Sequence, residues 1–331
     1  MKSDSSAFQT KNSHINEIDQ FVNAQKQGVE VMKTVFKYLK MGKTFDTSIV
    51  LNLITDFLAY CRADEENFAT IALLKNDANY IYYHPVNVCI YSIAIGYKLE
   101  YSDKQLMRLG MAALLHDIGE IKLPERMLNK SAKYTESELT AMQKHPELGY
   151  NLLKQNSTIP EEVLLGVLHH HERLDGTGYP SGHVGRFIHP LGKIIAICET
   201  FDAMTSERNS ASSISATEVL KIIYSLSGKH YEPNVVNALI SIIGMYPVGS
   251  LVRISGGQLA VVLANNKADM SKPEVIVVTD THGHPIERYI INLFGDMYGR
   301  KIMYSESASL YNIDTNVYIK EMLLKSKYNR K

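Results

Sequence analysis

The chain has 331 residues, of which 45% are hydrophobic, so it can bury a sizeable core and has room for roughly two domains. Its 35 basic residues balance its 35 acidic ones, which excludes a global field that would attract DNA or an acidic membrane. Three cysteines without a Cys-x-x-Cys spacing argue against a disulfide framework, and no secretory signal or long apolar run is visible. These features predict a cytoplasmic protein.

The N-terminal part of the chain is typical of long helices, because no proline occurs before Pro85. Val29, Met32, Val35 and Phe36 recur at helical spacing. We therefore predict an N-terminal helical module over residues 1–75. The sequence leaves open whether it serves packing, sensing or dimerisation.

The helical pattern continues through residues 76–246, which we predict to form an all-α bundle. Leu106, Leu109, Ala112 and Leu115 fall on one helix face. Another helix is predicted to begin at a proline, Pro233, because the missing N–H costs little at a helix start.

The composition changes after Pro247, where β-branched residues become frequent. Segments 250–254 and 259–264 flank Gly256-Gly257, which is a hairpin signal, and 274–279 is a third strand candidate. The sequence therefore predicts a mainly α protein with a small β-containing extension over residues 247–331.

The chemistry of the middle region is carried by histidines and carboxylates in apolar helical surroundings. A lone histidine in a helix is usually an ordinary core or surface residue, but polar groups in apolar helices are costly to bury unless paired or bound to metal. Helical bundles build metal sites from such facing side chains, and imidazole with carboxylate favours iron or manganese over zinc, nickel or magnesium. The candidates are His84, His116, Asp117, His145, His169, His170, His171 and Glu199.

Two motifs carry a family resemblance: HDIGEIKLP at residues 116–124 and HHHERLDGTGYP at residues 169–180. With HPELGY and FDAMTSER, they resemble the HD-GYP family of cyclic di-GMP phosphodiesterases over roughly residues 80–245. The resemblance implies an all-α HD-type bundle that holds two or three metal ions. It also implies hydrolysis of cyclic di-GMP to the linear dinucleotide pGpG, or on to GMP, by a metal-bridging hydroxide.

The resemblance also implies the metal ligands. Asp117 would bridge two subsites, and Glu199 stands where the family usually has aspartate. His169 lies outside the motif's ligand positions. The first subsite would contain His84, His116, Asp117 and Glu199, and the second would contain Asp117, His145, His170 and His171.

Two departures from the family pattern concern catalysis. Glu120 replaces the family's lysine, so either its carboxylate faces away or binds a further cation, or the site is impaired. Tyr80 replaces the acidic ligand of three-metal members, which favours two divalent ions, most readily Fe or Mn, and pGpG as the product.

The resemblance assigns substrate contacts to Arg208 and to the loop of Gly178, Tyr179 and Pro180. It also makes this loop a candidate docking site for diguanylate cyclase (GGDEF) domains, although the loop could equally be a structural turn. Asp175 is a candidate for orienting the metal-binding histidines. A homodimer is a further candidate.

Three functions remain open from the sequence. The first is an active cyclic di-GMP phosphodiesterase that uses Asp117 and Glu120. The second is a catalytically impaired receptor or scaffold that binds the nucleotide or a diguanylate cyclase. The third is hydrolysis of a different phosphoester, such as another cyclic dinucleotide.

Overall fold

A computed structural model of the chain describes residues 5–74, 80–128, 130, 132–206 and 214–318, without the side chains of 5–19 and 309. Contacts divide the chain into two compact units. One comprises residues 24–214 and 221–242, and the other comprises residues 1–23, 215–220 and 243–331. The first unit holds the histidine cluster together with residues 24–74, and the three-part division predicted from the sequence stays a prediction.

Twelve α-helices occur among the described residues, which confirms the mainly α prediction. None of these helices is both long and apolar enough to cross a membrane. The helices are α1 Ser5–Lys40, α2 Ser48–Ala63, α3 Glu65–Ile71, α4 Tyr80–Lys98, α5 Asp103–Leu115, α6 Glu125–Leu128, α7 Glu136–Met142, α8 His145–Leu153, α9 Glu161–His169, α10 Pro190–Thr205, α11 Ala216–Ser225 and α12 Pro233–Ile243.

Local sequence signals explain where the helices near the histidine cluster begin. The side chain of Gln105 accepts a hydrogen bond from the backbone N–H of Ser102, and Thr135 and Glu138 form a capping box at α7. Proline occupies the first turn of α8 and of α10, where its missing N–H costs little.

The core of the first unit is formed where α5 packs against α4 and α9, and where α10 packs against α4 and α9. Leu109, Ala112 and Leu115 of α5 are fully buried there, as the predicted apolar face requires. The three cysteines, Cys61, Cys89 and Cys198, are buried as free thiols.

A close contact places the HDIGE segment against α8. After α5 ends, the chain turns at His116–Asp117 into a 3₁₀ helix over Ile118–Lys122. A Cβ atom on Gly119 would lie 2.0 Å from the carbonyl oxygen of His145, which real side chains do not tolerate. Glycine is therefore needed for the approach that brings His145 beside Asp117.

The C-terminal residues form a five-stranded antiparallel sheet in the order β4-β3-β2-β1-β5. The three strands and the Gly256-Gly257 hairpin predicted from the sequence are confirmed, with Leu251 opposite Val261 in its register. Hydrophobic side chains cover both faces of the sheet. The strands are β1 Leu251–Ile254, β2 Leu259–Ala264, β3 Glu274–Thr279, β4 Pro285–Asn292 and β5 Ile302–Ser305.

Candidate metal centre

The carboxylate of Asp117 lies between two groups of histidines. Its Oδ2 atom is 3.1 Å from His116 Nε2 and 3.6 Å from His84 Nε2. Its Oδ1 atom is 3.3 Å from His145 Nε2 and 3.6 Å from His170 Nε2. One oxygen thus faces each group, which is the arrangement that a bridging carboxylate needs.

The ligand atoms form two clusters, each within 4.8 Å, that could hold metal ions. The structure therefore brings together six of the seven residues predicted to bind metal. One cluster contains His84, His116 and Asp117, and the other contains Asp117, His145, His170 and His171.

Three of these histidines are held in the same way at a helix end. The Nδ1 atoms of His116, His145 and His170 lie 2.8, 2.8 and 2.6 Å from the carbonyl oxygens of Ala113, Met142 and Val167. A carbonyl only accepts hydrogen bonds, so Nδ1 carries the proton and Nε2 presents its lone pair to the site. Carbonyls in the last turn of a helix lack an intrahelical partner, which explains why the histidines use them.

His84 is oriented by a carboxylate instead. It lies inside α4, and its Nδ1 atom is 2.7 Å from Asp202 Oδ2. Such a carboxylate–histidine pair fixes the tautomer and the ring orientation of a metal ligand. Tyr80 Oη also lies 2.8 Å from Nδ1, and its ring stacks on the imidazole.

The buried polar atoms test whether the residues fit a metal ion. Within the described part of the chain, His116 Nε2 and Glu199 Oε2 are buried without a hydrogen-bond partner. Buried polar atoms are seldom left unbonded, so both atoms fit an arrangement completed by cations. The imidazole and carboxylate donors are also suited to divalent transition metals.

Glu199 extends from α10 towards the histidine cluster. The resemblance assigns it to the subsite of His84 and His116, and its charge contributes to the raised pKa of His116. Its Oε2 atom also lies 3.6 Å from His171 Nδ1, so its assignment to one subsite stays a prediction.

The residues of the cluster combine raised and lowered pKa values. Burial opposes charge on His116, yet the adjacent Asp117 carboxylate raises the pKa of His116 to about 9. Burial lowers the pKa of His170 to about 3 despite its hydrogen bond to Asp117. Burial, together with the charge of Asp117, raises the pKa of Glu199 to about 7. Such a spread is typical of functional sites.

The loop of Gly178, Tyr179 and Pro180, here called the GYP loop, packs against His171 of the second histidine group, which also contains His145 and His170. The backbone N–H of Tyr179 donates to the carbonyl of His171 over 3.2 Å, and the two rings stack at 4.5 Å. A Cβ atom on Gly178 would lie 2.4 Å from the backbone nitrogen of Arg173, so only glycine permits this fold-back. Pro180 follows Tyr179 through a cis peptide bond and is half-buried.

A buried carboxylate anchors this loop through hydrogen bonds. Glu172 accepts hydrogen bonds from the backbone N–H groups of Ser181 and His183, each over 2.9 Å. Its side chain is fully buried. Because the same residue follows His171 directly, it ties the loop to the histidine segment.

Two positioning residues, Asp202 and Glu172, are absent from the sequence-based prediction. Asp202 lies three residues after Glu199 on α10, so helical spacing could have pointed to it. Glu172 could have been found only as an acidic residue inside the HHHERLDGTGYP motif, with nothing to show that it is buried.

The remaining predicted residues divide into three cases. Burial opposes charge on His145, but Asp117 and, to a smaller extent, the charge of Glu120 raise the pKa of His145, so the Glu120 carboxylate influences the site. Asp175 does not orient the metal-binding histidines, because it caps Thr177 in an exposed turn and lies 3.5 Å from His230. Arg208 lies outside the described residues.

His169 is directed away from the cluster, as expected for a histidine outside the motif's ligand positions. Its Nδ1 atom accepts a hydrogen bond from the backbone N–H of His189, and its ring lies 5.0 Å from that of His183. Burial lowers its pKa to about 4.

With this geometry established, comparison with known proteins places the chain in a family. The model of the HD domain matches residues 70–235, about half of the chain. The chain belongs to the HD domain family. The matched segment contains the whole histidine cluster, so the HD domain is the part of the chain that carries the candidate site.

Two curated relatives match more than three quarters of the chain. A cyclic di-GMP phosphodiesterase from Pseudomonas aeruginosa is 34% identical over 261 residues, which cover 78% of this chain and 63% of the relative. The cyclic di-GMP phosphodiesterase PdeB from Borreliella burgdorferi is 28% identical over 77% of this chain and 65% of its own length. The chain thus spans less than two thirds of either relative.

A solved structure supports the fold. Bd1817, an HDG"Y"P protein from Bdellovibrio bacteriovorus, superposes with a TM-score of 0.56 at 19% identity. The match covers 66% of this chain and 70% of Bd1817. Together with the HD domain match and the named relatives, it confirms the HD-GYP resemblance predicted from the sequence.

Proposed function

We propose that the HD domain of this chain is a metal-dependent phosphodiesterase that hydrolyses cyclic di-GMP. The observation that carries the proposal is the position of Asp117, whose two carboxylate oxygens face two separate groups of histidines. A carboxylate shared in this way suits two neighbouring divalent ions.

Bound there, two cations would lower the pKa of a water molecule and neutralise the phosphate oxygens of a substrate. The chain's own residues prepare the site for this chemistry. Hydrogen bonds from Nδ1 to backbone carbonyls orient His116, His145 and His170 so that Nε2 can bind a metal ion. The Asp202 carboxylate orients His84 in the same way. We assign Glu199 as a further ligand, because its buried Oε2 atom is available beside His171.

The nature of the substrate rests on the relatives. Both relatives described above are named cyclic di-GMP phosphodiesterases. The Tyr179 ring borders the second histidine group, lying 6.4 Å from the His145 ring and stacked on His171, and could contact a bound nucleotide. Arg208, outside the described residues, stays a predicted substrate contact.

The product that we propose is the linear dinucleotide pGpG. Tyr80 occupies the position of the acidic ligand in three-metal members, and it lies against His84 through a phenol hydroxyl rather than a carboxylate. This supports a centre of two ions, with iron or manganese as the expected metals.

The test is hydrolysis by the purified chain, reconstituted anaerobically with Fe²⁺ or in air with Mn²⁺, and analysed by chromatography of the nucleotides. We expect cyclic di-GMP to disappear and pGpG to accumulate, with much slower formation of GMP. Absence of turnover with Mn²⁺, Fe²⁺, Zn²⁺, Ni²⁺ and Mg²⁺ would overturn the proposal. A panel containing cyclic GMP-AMP would show whether another cyclic dinucleotide is preferred.

We expect Glu120 to affect the rate of this reaction. Its negative charge raises the pKa of His145, a residue of the proposed site. The same charge would repel a phosphodiester unless Glu120 binds a cation. We therefore compare Glu120→Lys with Glu120→Gln. A faster Lys variant would identify Glu120 as a brake, whereas loss of activity in both variants would make it a working group of the site.

The predicted contacts with diguanylate cyclase domains and the predicted homodimer stay predictions. The GYP loop is partly engaged within the chain itself, since its backbone bonds to His171 and Glu172. A partner would thus meet the outer side of the loop, around the exposed Thr177.

A further inference from the structure

A chain of buried hydrogen bonds runs from the N-terminal helix to His84. The side-chain amide of Gln25 on α1 donates to Asn87 Oδ1 over 2.8 Å. Asn87 Nδ2 donates to Asp202 Oδ1 over 3.1 Å, and the other Asp202 oxygen lies 2.7 Å from His84 Nδ1. Three side chains thus connect α1 with a histidine of the proposed metal centre.

The chemistry of the groups fixes the direction of every bond. An ionised Asp202 can only accept, so Asn87 must present its NH₂ group to it and its carbonyl to Gln25. Gln25 must then donate to Asn87, and its NH₂ group also reaches the carbonyl of Ile71 over 3.4 Å. Rotating the side-chain amide of Gln25 or Asn87 by 180° would break a hydrogen bond.

The same logic sets the proton on His84. A carboxylate oxygen 2.7 Å from Nδ1 requires a proton between them, so Nδ1 carries it. The hydroxyl oxygen of Tyr80, 2.8 Å from Nδ1, then faces the same N–H as a second acceptor. Nε2 is left with its lone pair, and it is the atom that lies 3.6 Å from Asp117.

The residues that form these hydrogen bonds are deeply buried. Gln25, Asn87, His84 and Asp202 are 4%, 3%, 2% and 0% exposed. Polar groups so deeply buried are costly unless they are hydrogen-bonded, so loss of one partner disturbs the next. Gln25 lies outside residues 70–235, the segment that matches the HD domain.

We infer that Gln25 is a positioning residue for the metal centre, acting through Asn87 and Asp202 on the orientation and tautomer of His84. The inference rests on the proposed metal-dependent function. It makes α1 part of the machinery of the site: a displacement of α1 at Gln25 would alter the affinity of the subsite that contains His84 and His116.

The experiment compares Gln25→Met with the unaltered chain. Methionine keeps the length and most of the volume of glutamine but donates no hydrogen bond. Binding of Mn²⁺ is measured by calorimetry on the metal-free protein, together with the melting temperature before and after metal addition. We expect one of two binding steps to weaken by roughly threefold to tenfold, less than the loss typical of direct outer partners. The metal-induced rise in melting temperature shrinks accordingly.

Val29→Ala is the matched control. Val29 is buried on the same helix, one turn after Gln25, and contributes packing alone. We expect this variant to lower the melting temperature of the metal-free protein without changing Mn²⁺ affinity. Should Gln25→Met fail to fold, Gln25→Asn is used, because its amide is one methylene too short to reach Asn87.

The outcomes separate the inference from the function on which it rests. If Gln25→Met binds Mn²⁺ as tightly as the unaltered chain and the Val29→Ala control do, the inference is wrong while the proposed metal centre stands. If the unaltered chain itself binds no divalent ion, the proposed function and this inference fail together.

Discussion

At the residue scale, Asp117 is the group on which the site depends most. Its two oxygens face different histidine groups, and its amide counterpart could offer only one oxygen. We expect Asp117→Asn to remove the bridge and to reduce turnover by roughly a thousandfold or more. Turnover is measured with saturating cyclic di-GMP and Mn²⁺. Asp56→Asn, an exposed carboxylate of the same compact unit, should retain full activity.

Protons compete with metal at the same residues. Asp117 raises the pKa of His116 to about 9, although burial opposes it, so this imidazole is largely protonated at pH 7 in the metal-free protein. A metal must displace that proton. We therefore expect Mn²⁺ affinity to rise from pH 6.5 to pH 9 and binding to release protons.

The stability of the metal-free protein should move in the opposite direction. The folded pKa of His116 lies above its ordinary value of 6.5, so its contribution is fully present below that pH and is lost as the pH rises through about 9. Calorimetry in buffers of different ionisation enthalpy measures the proton release. A Mn²⁺ affinity independent of pH over this range would contradict the assignment.

At the element scale, the GYP loop is held by Glu172. Glutamine in its place would retain one acceptor but direct an NH₂ group at Ser181 or His183. We expect Glu172→Gln to increase amide hydrogen exchange at both residues and to slow turnover by about tenfold. Asp175→Asn, in the exposed turn of the same loop, should change neither quantity by more than about twofold. Unchanged exchange at residues 181 and 183 in Glu172→Gln would rule out the anchoring role.

A second element-scale prediction concerns the contact between the HDIGE segment and α8. A methyl group at Gly119 would lie 2.0 Å from the His145 carbonyl, so Gly119→Ala must push α8 away from Asp117. We expect a loss of about 3 kcal/mol in the free energy of unfolding, together with weaker metal binding. Urea denaturation of the metal-free protein measures the loss.

Gly149→Ala on α8 is the milder change at the same contact, because its methyl group would lie 3.2 Å from a Val167 methyl and 3.3 Å from the Gly119 nitrogen, rather than 2.0 Å from a carbonyl oxygen. It should change the unfolding free energy by less than about 1 kcal/mol. Equal losses in the two variants would show that the close approach at Gly119 is not special.

The elements themselves were largely predictable. Helical periodicity indicates α5, and the Gly256-Gly257 hairpin gives β1 and β2, because these signals are local. Strands β4 and β5 are not apparent from the sequence. Most residues of β4 are exposed and it begins with Pro285, and β5 has only four residues, so neither shows the apolar alternation of a half-buried strand.

The site was predictable to the extent that its motifs are contiguous. His116-Asp117 and His170-His171 are recognised as pairs, and the structure places them together. The long-range partners are not. Asp202 meets His84 across 118 positions of the chain, and Gln25 meets Asn87 across 62, so only the folded structure reveals them. The proximity of Glu199 to His171 is likewise visible only in the folded structure.

At the scale of the whole molecule, the two compact units differ in composition and in what they contribute. One holds the histidine cluster, the GYP loop and most of the helical residues, and the other contains the five-stranded sheet with apolar side chains on both faces. The proposed chemistry belongs entirely to the first unit. The hydrogen bonds from Gln25 to His84 also lie within it, so the part of α1 from residue 24 onwards belongs to the same compact unit as the site.

The central claim is that Asp117 joins two metal ions into one hydrolytic centre. The most direct measurement is a titration of the metal-free protein with Mn²⁺ in which bound metal and cyclic di-GMP turnover are determined on the same samples. We predict two ions per chain, with turnover rising mainly as the second is taken up. Full turnover with a single ion per chain, or in the metal-free protein, would contradict the account.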